Sequence, residues 1–164
     1  MKKKVYLDTT IPSYYYDDRD ETAFLIGATR NWFRDEAGLY DIYISDETLV
    51  EAQEGAHPHK EEILDFLSRL NLLPFEEMLE EIVQTYINNH LMPQEFGGDA
   101  LHLAYASYYK IDFLLTWNCN HLANANKREH IRVINSRMGL FVPEITTPLE
   151  LINEGECKWN ETKS

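Results

Sequence analysis

Cysteine is scarce in this sequence, and long apolar runs are missing. The two cysteines, Cys119 and Cys157, are too few for a disulfide framework and lack the close spacing of a zinc site. Reduced thiols are expected. No window approaches the roughly 18 to 20 apolar residues needed to cross a bilayer. The basic start at Met1 to Lys4 is followed by too few apolar residues for a signal-peptide core, and Asp8 interrupts them. The expectation is a cytoplasmic protein with no membrane contact.

Several catalytic signatures are absent as well. No glycine-rich run ends in Lys followed by Ser or Thr, which removes a P-loop, and no Gly-x-Gly-x-x-Gly turn follows the first strand, which removes a dinucleotide fold. A Gly-x-Ser-x-Gly elbow is missing, which argues against serine hydrolase chemistry. Thr10 stands where a phosphatase of the haloacid dehalogenase class needs a second aspartate, two residues after Asp8. Bases are also few, 15 against 28 acids, for a net charge of −13. That balance argues against holding nucleic acid through a wide electrostatic footprint, but it leaves metal-assisted chemistry on RNA open, because a carboxylate pocket is itself negative until cations enter. Lys127, Arg128, Arg132 and Arg137 gather in one short stretch, the first place to look for phosphate contacts.

What remains describes one domain. A chain of 164 residues fits a single core, expected over residues 1–154, with a polar tail from 155 to 164. Val5, Tyr6 and Leu7 read as a short buried strand, and further strands are expected at Asp41 to Ile44, at Asn71 to Phe75 on an edge, at Phe113 to Leu115, and on a last edge drawn from Phe141, Val142 and Ile145. Helices are expected at Glu21–Phe33, with Phe24, Leu25, Ala28, Trp32 and Phe33 inward and Asp18 or Asp20 capping, and at Asp46–Gly55 behind an N-cap at Ser45. Further helices are expected at His59–Leu70, Glu76–His90, Asp99–Tyr109 and Lys127–Met138. Short apolar strands alternating with helices specify an α/β fold with a parallel sheet of about five strands covered on both faces. Chemistry in such a fold lies beyond the C-terminal ends of the strands.

Asp8 follows the first strand, Glu51 lies on the helix after the second, Asp99 starts the helix leading to the fourth, and Asn118 follows the fourth. Each has a plain structural alternative: an Asx turn, a solvent-facing acid, a helix cap and a tight turn. Together they can converge at one sheet edge. Clustered carboxylates repel unless cations compensate them, and an oxygen-only donor set suits Mg²⁺ or Mn²⁺, as one or two ions, better than Zn²⁺. Such ions can activate water against a phosphodiester.

The blocks Tyr6-Leu7-Asp8-Thr9-Thr10, Ile44-Ser45 with Glu51, Gly98-Asp99-Ala100 and Leu114-Leu115-Thr116-Trp117-Asn118 resemble the four signature regions of PIN-domain nucleases, most of all toxins of the VapC type. The likeness runs over roughly residues 3–150. It implies a three-layer α/β/α domain and a metal-dependent endoribonuclease, with Asp8, Glu51 and Asp99 as metal-binding acids. It further implies Thr9 and Thr116 as supporting hydroxyls, an antitoxin partner that masks the site, and a homodimer. Asn118 stands where many members carry a fourth aspartate, and its amide supplies no charge for a second cation. A rival reading is a catalytically weak or inert PIN-like domain that binds RNA or a protein.

Three further features stay open. His102, three residues after Asp99, reads either as a satisfied structural histidine or as a modulator of substrate. His121 is a candidate phosphate contact. Tyr14, Tyr15 and Tyr16 can either stack on an unpaired base or pack against the next helix.

Overall fold

The computed structural model describes residues 1–92, 98–118, 122 and 124–153. Five strands lie in it: β1 (Lys3–Leu7), β2 (Tyr40–Ser45), β3 (Asn71–Leu73), β4 (Phe113–Leu115) and β5 (Glu144–Thr146). Every pairing is parallel, in the order β3-β2-β1-β4-β5. The order reverses direction at β1, so the crevice between the ends of β1 and β4 is the topological switch point, where ligands of open α/β sheets bind.

Alternation along the strands divides the core in two. Tyr6, Leu114 and Ile145 face one side, where α5 (Glu77–Asn88), α6 (Gly98–Tyr108) and α7 (Ala125–Arg137) bury Leu79, Ile82, Leu103 and Ile134. Val5, Leu7, Ile44 and Leu115 face the other, against Ile11 of α1 (Thr10–Tyr15), Trp32 of α2 (Ala23–Asp35), Ala52 of α3 (Asp46–Glu54), and Ile63 and Leu67 of α4 (Lys60–Leu67). This is the three-layer α/β/α arrangement expected. Each large aliphatic side chain buried in these layers contributes roughly 1.5–3 kcal/mol. Among the described residues no helix is long and apolar enough to cross a membrane.

Local chemistry explains where the elements begin and end. Ser45 caps α3 as expected, in a reciprocal capping box with Thr48. Pro74 follows β3 directly, and β3 lies at the sheet edge, where a residue without an N–H does least damage.

Several details differ from the sequence expectations. Phe24 is exposed, and the expected Trp32 is joined in the buried stripe of α2 by Ile26 and Thr29. The polar Thr29 can lie inside because its hydroxyl donates to the Leu25 carbonyl and accepts from the Trp117 indole. Neither Asp18 nor Asp20 caps α2 with its side chain; Asp18 meets the His59 ring instead, at 3.0 Å. Helix α4 stops at Leu67 rather than Leu70. Phe141 is exposed ahead of β5, whose inward residue is Ile145.

The connection between α1 and α2 is held by a buried acid. Asp17 accepts from the Arg19 backbone and guanidinium and from the Thr22 hydroxyl, and the Arg19 bonds hold its carboxyl far below the usual carboxylate range. A depressed pKa in the folded state means that the stabilisation is full above the unfolded value, near 3.9, and is lost as the pH falls through the folded value. Asp17→Asn should therefore cost about 1–2 kcal/mol at neutral pH. The gap between parent and variant should narrow steadily below about pH 4. Urea unfolding at pH 7, 5 and 3 measures this, and an equal gap at all three contradicts it.

Candidate active site at the ends of β1 and β4

Asp8 is the first residue beyond the central strand and is only 2% exposed. A buried carboxylate needs donors, and the adjoining residues supply them. Oδ1 accepts from the Thr10 N–H at 3.0 Å and from the Thr10 hydroxyl. Oδ2 accepts from the Thr116 hydroxyl. The β1–β4 register, which sets Leu7 against Leu115, places Asp8 and Thr116 opposite each other. Burial nevertheless pushes the Asp8 carboxyl up, opposed by His102, Thr10 and Thr116 and assisted by the charge of Asp99.

From Asp8 the bonds continue. The Thr116 oxygen accepts the Asn118 N–H at 2.9 Å, and the Asn118 amide donates to Asp99 Oδ2 at 2.8 Å. Trp117, between them, is fixed by its N–H on the Thr10 hydroxyl. Asp8, Thr116, Asn118 and Asp99 thus form one hydrogen-bonded chain across the switch point.

Glu51 joins from α3 by another route. Its Oε1 accepts from His102 Nε2, and the other ring nitrogen of His102 lies 2.6 Å from the Tyr6 hydroxyl. Burial alone raises the Glu51 carboxyl, but the bond and charge of His102 hold it below its ordinary value. For His102 the balance is the converse: burial opposes the charge, yet Glu51 keeps the imidazole above its ordinary value. His102 is fully enclosed and its charge acts on Asp8 as well as on Glu51, so it connects the two acids.

The donors suit a hard cation. Three carboxylates and an amide are oxygen ligands, and the Thr9 hydroxyl is buried without a partner of good hydrogen-bond geometry, although it lies close enough to Glu51 to favour the charged carboxylate. Among the described residues, however, no three His, Cys, Asp or Glu side chains are already arranged to hold a metal. The chemistry of the donor set fits Mg²⁺ or Mn²⁺, with Glu51 bonded to His102 and Asp99 to Asn118.

Sequence reasoning missed Tyr6 and Glu47. Tyr6 passed as strand filling, although the hydroxyl of a tyrosine in a strand covered on both faces needs an internal partner. Glu47 Oε1 accepts the Gly98 N–H at 3.0 Å, just before Asp99. Gly98 has φ 55°, a left-handed conformation that favours glycine.

Other candidates are absorbed by packing. Tyr15 stacks on Phe66, Tyr16 meets both of those rings edge-on, and Tyr14 meets Trp117 edge-on. Arg132 pairs with Glu129, Arg128 lies 3.6 Å from Glu150, and Lys127 donates to the Leu91 carbonyl. His121, Cys119 and Cys157 lie outside the described residues. A cleft of about 780 Å³ opens at the opposite end of the sheet, beside Lys3, Tyr40 and Phe113, away from the acids.

The PIN-domain family model matches residues 5–124. No curated protein matches by sequence. Among solved structures, a VapBC complex from Rickettsia felis bound to a promoter DNA fragment is 18% identical, with 88% of this chain and 98% of that chain covered at a TM-score of 0.54. A DNA-bound VapBC from Salmonella typhimurium is also 18% identical, covering 90% and 99% at 0.54. A sarcin-ricin-loop-cleaving VapC toxin from Mycobacterium tuberculosis is 13% identical, covering 71% and 92% at 0.54. At these identities the likeness is one of fold.

Thr116 both donates to the buried Asp8 and accepts from Asn118, so Thr116→Val, nearly equal in volume, should destabilise the protein by about 1–3 kcal/mol. Urea unfolding at neutral pH checks this. A cost indistinguishable from zero would mean that Asp8 is satisfied without the hydroxyl.

Proposed function

Because the chain belongs to the PIN-domain family, we propose that it is a metal-dependent endoribonuclease, acting as the toxin of a toxin–antitoxin pair. The observation that carries this reading is the chain of bonds from Asp8 through Thr116 and Asn118 to Asp99 at the switch point of the parallel sheet. Asp8, Asp99 and Glu51 are the acids that would hold Mg²⁺ or Mn²⁺, with Asn118 as a neutral ligand or water holder. The ion, when bound, activates water and steadies the leaving oxygen of a phosphodiester.

The chain's own residues prepare for this. Thr10 and Thr116 aim the Asp8 carboxylate and keep it from rotating, and the Asn118 amide ties Asp99 of α6 to the segment that carries Thr116. Asn118 adds no charge, so one firmly held ion and a second held mainly by substrate phosphate suit this donor set. The structural relatives crystallised as VapBC complexes support an antitoxin as partner. With net charge −13, RNA affinity would rest on the bridging cation rather than on a broad basic surface. The same charge and the absence of a transmembrane helix among the described residues are compatible with the cytoplasm.

A second reading, an inert PIN-like domain that binds RNA or protein, is favoured by one observation: among the described residues the acids are not already arranged as a three-ligand group. Cleavage of a structured RNA panel against Mn²⁺ concentration separates the two. For the nuclease, Asp99→Asn should abolish cleavage and Asn118→Asp should lower the Mn²⁺ required. Asn118→Ala should reduce the rate about tenfold or more, as for loss of a supporting contact. Added Mn²⁺ should also raise the melting temperature of the parent, and less so that of Asp8→Asn. Equal rates for parent and Asp99→Asn would assign the activity to a contaminant and sink the nuclease reading.

A further inference from the structure

We propose that His102 is a positioning residue that, backed by Tyr6, fixes one carboxylate oxygen of Glu51 and leaves the other to the divalent cation. The inference rests on the reading of Glu51 as a metal-binding acid, and adds to it the device that aims the carboxylate.

The geometry is that of two helices joined by matched rungs. Glu47 and Glu51 are four residues apart on α3, and Gly98 and His102 are four apart on α6, one turn in each case. Glu47 takes the Gly98 N–H and Glu51 takes the His102 ring, so the two bonds bracket Asp99. The histidine side of the second rung is closed to water, with its side chain 2% exposed, whereas that of Glu51 is 34% exposed. The acid therefore keeps an exposed side while its tether stays dry.

Behind His102 the bonds close a ring. The Tyr6 hydroxyl lies 2.6 Å from His102 Nδ1 and 2.6 Å from Ser45 Oγ, and Ser45 is the N-cap of the helix that carries Glu51. Strand β1, helix α6 and helix α3 are thus locked in one circuit. The tether does not depend on the protonation state of the ring. In the neutral tautomer Nε2–H donates to Glu51 and Nδ1 accepts from Tyr6; in the imidazolium Nε2–H still donates to Glu51, and only the Tyr6 bond reverses. Both nitrogens of the buried ring are thus satisfied, one by the acid and one by the phenol, so the ring cannot turn without losing a bond. This pattern, in which a partner hydrogen bond orients a ligand, is the one that tunes metal affinity from outside the coordination sphere.

Calorimetric titration with Mn²⁺ alone tests the proposal without recourse to catalysis. His102→Leu should weaken Mn²⁺ binding about 10- to 100-fold, whereas His102→Gln, whose amide can still donate to Glu51, should stay within about threefold of the parent. In a Glu51→Gln background, His102→Leu should cause no further loss, since the residue acts only through that carboxylate. The Mn²⁺ needed for half-maximal RNA cleavage should shift by the same factor as the affinity, with the rate at saturating Mn²⁺ little changed. Tyr6→Phe, which removes one oxygen, should weaken binding at least about threefold and carries the test should His102→Leu fail to fold. Parental Mn²⁺ affinity in folded His102→Leu or in Tyr6→Phe overturns the proposal, as does an equal loss in the Glu51→Gln background. A parent that binds no Mn²⁺ overturns the nuclease reading and the tether together, whereas a parent that binds it beside an unchanged His102→Leu overturns the tether alone.

Discussion

The burial of the Asp8 carboxylate is the constraint on which the rest of the site depends. A carboxyl group 2% exposed at the end of the central strand is costly unless its lone pairs are met, and β1 alone cannot meet them. The partners come from the two segments that flank it: Thr10 at the start of α1 and Thr116 at the end of β4. Each of those hydroxyls is in turn engaged by the next loop, Thr10 by the Trp117 N–H and Thr116 by the Asn118 N–H. Strand order is thereby converted into side-chain position. With β1 and β4 adjacent and in register, the acid and its hydroxyl meet; a shift of one residue would turn Thr116 to the opposite face.

Much of this is legible in the amino-acid sequence. Short apolar runs and amphipathic helices specify the parallel sheet, because a strand covered on both faces must be apolar throughout, as Val5-Tyr6-Leu7 and Phe113-Leu114-Leu115 are. The ends of those runs point to Asp8, Thr116 and Asn118, which the structure links in one chain with Asp99. Sequence and structure part where an apolar residue has two candidate faces. Phe24 belongs to an apolar pattern but lies outside the buried stripe of Ile26, Thr29 and Trp32 on α2. Phe141 is a good strand residue, but Pro143, two residues on, cannot donate to a ladder, so pairing begins only at Glu144. Long-range polar pairing is beyond the reach of local pattern: nothing near Tyr6, Ser45 or His102 in the chain shows that residues 39 and 96 positions away share a hydrogen bond with the same phenol.

Charge is distributed so that its sign has different meanings at different places. The acids at the start of α5 lie where the helix dipole favours them, while Arg128 and Arg132 of α7 are paired with Glu150 and Glu129. Such exposed pairs contribute little stability, but they lower the free positive charge available for phosphate. At the switch point the situation is reversed. The charge of Asp99 acts unfavourably on Asp8, and the groups that offset this at Asp8 include the Thr10 and Thr116 hydroxyls and the His102 imidazole. A lysine or arginine bonded to an acid would compete with a divalent ion; hydroxyl and amide donors do not.

The acids also differ in how they are held. Asp99 and His102 belong to α6, whose residues from Ala100 to Ser107 are all buried, so the helix has no solvent face through which it could shift. Small Ala side chains at 100, 104 and 106 let it lie close to the sheet, and the positive φ of Gly98 sets its first turn. Glu51 belongs to α3, whose buried residues are only Thr48 and Ala52, and packing alone holds that helix weakly. Its position is defined instead by polar bonds at its start: the Ser45–Thr48 box and the Tyr6 phenol that reaches Ser45 from β1. A polar clamp on a lightly packed helix is directional, whereas apolar packing is not, and it therefore fixes how α3 presents Glu51. The rigid helix therefore serves as the reference, and α3 is registered to it through Glu47 and Glu51.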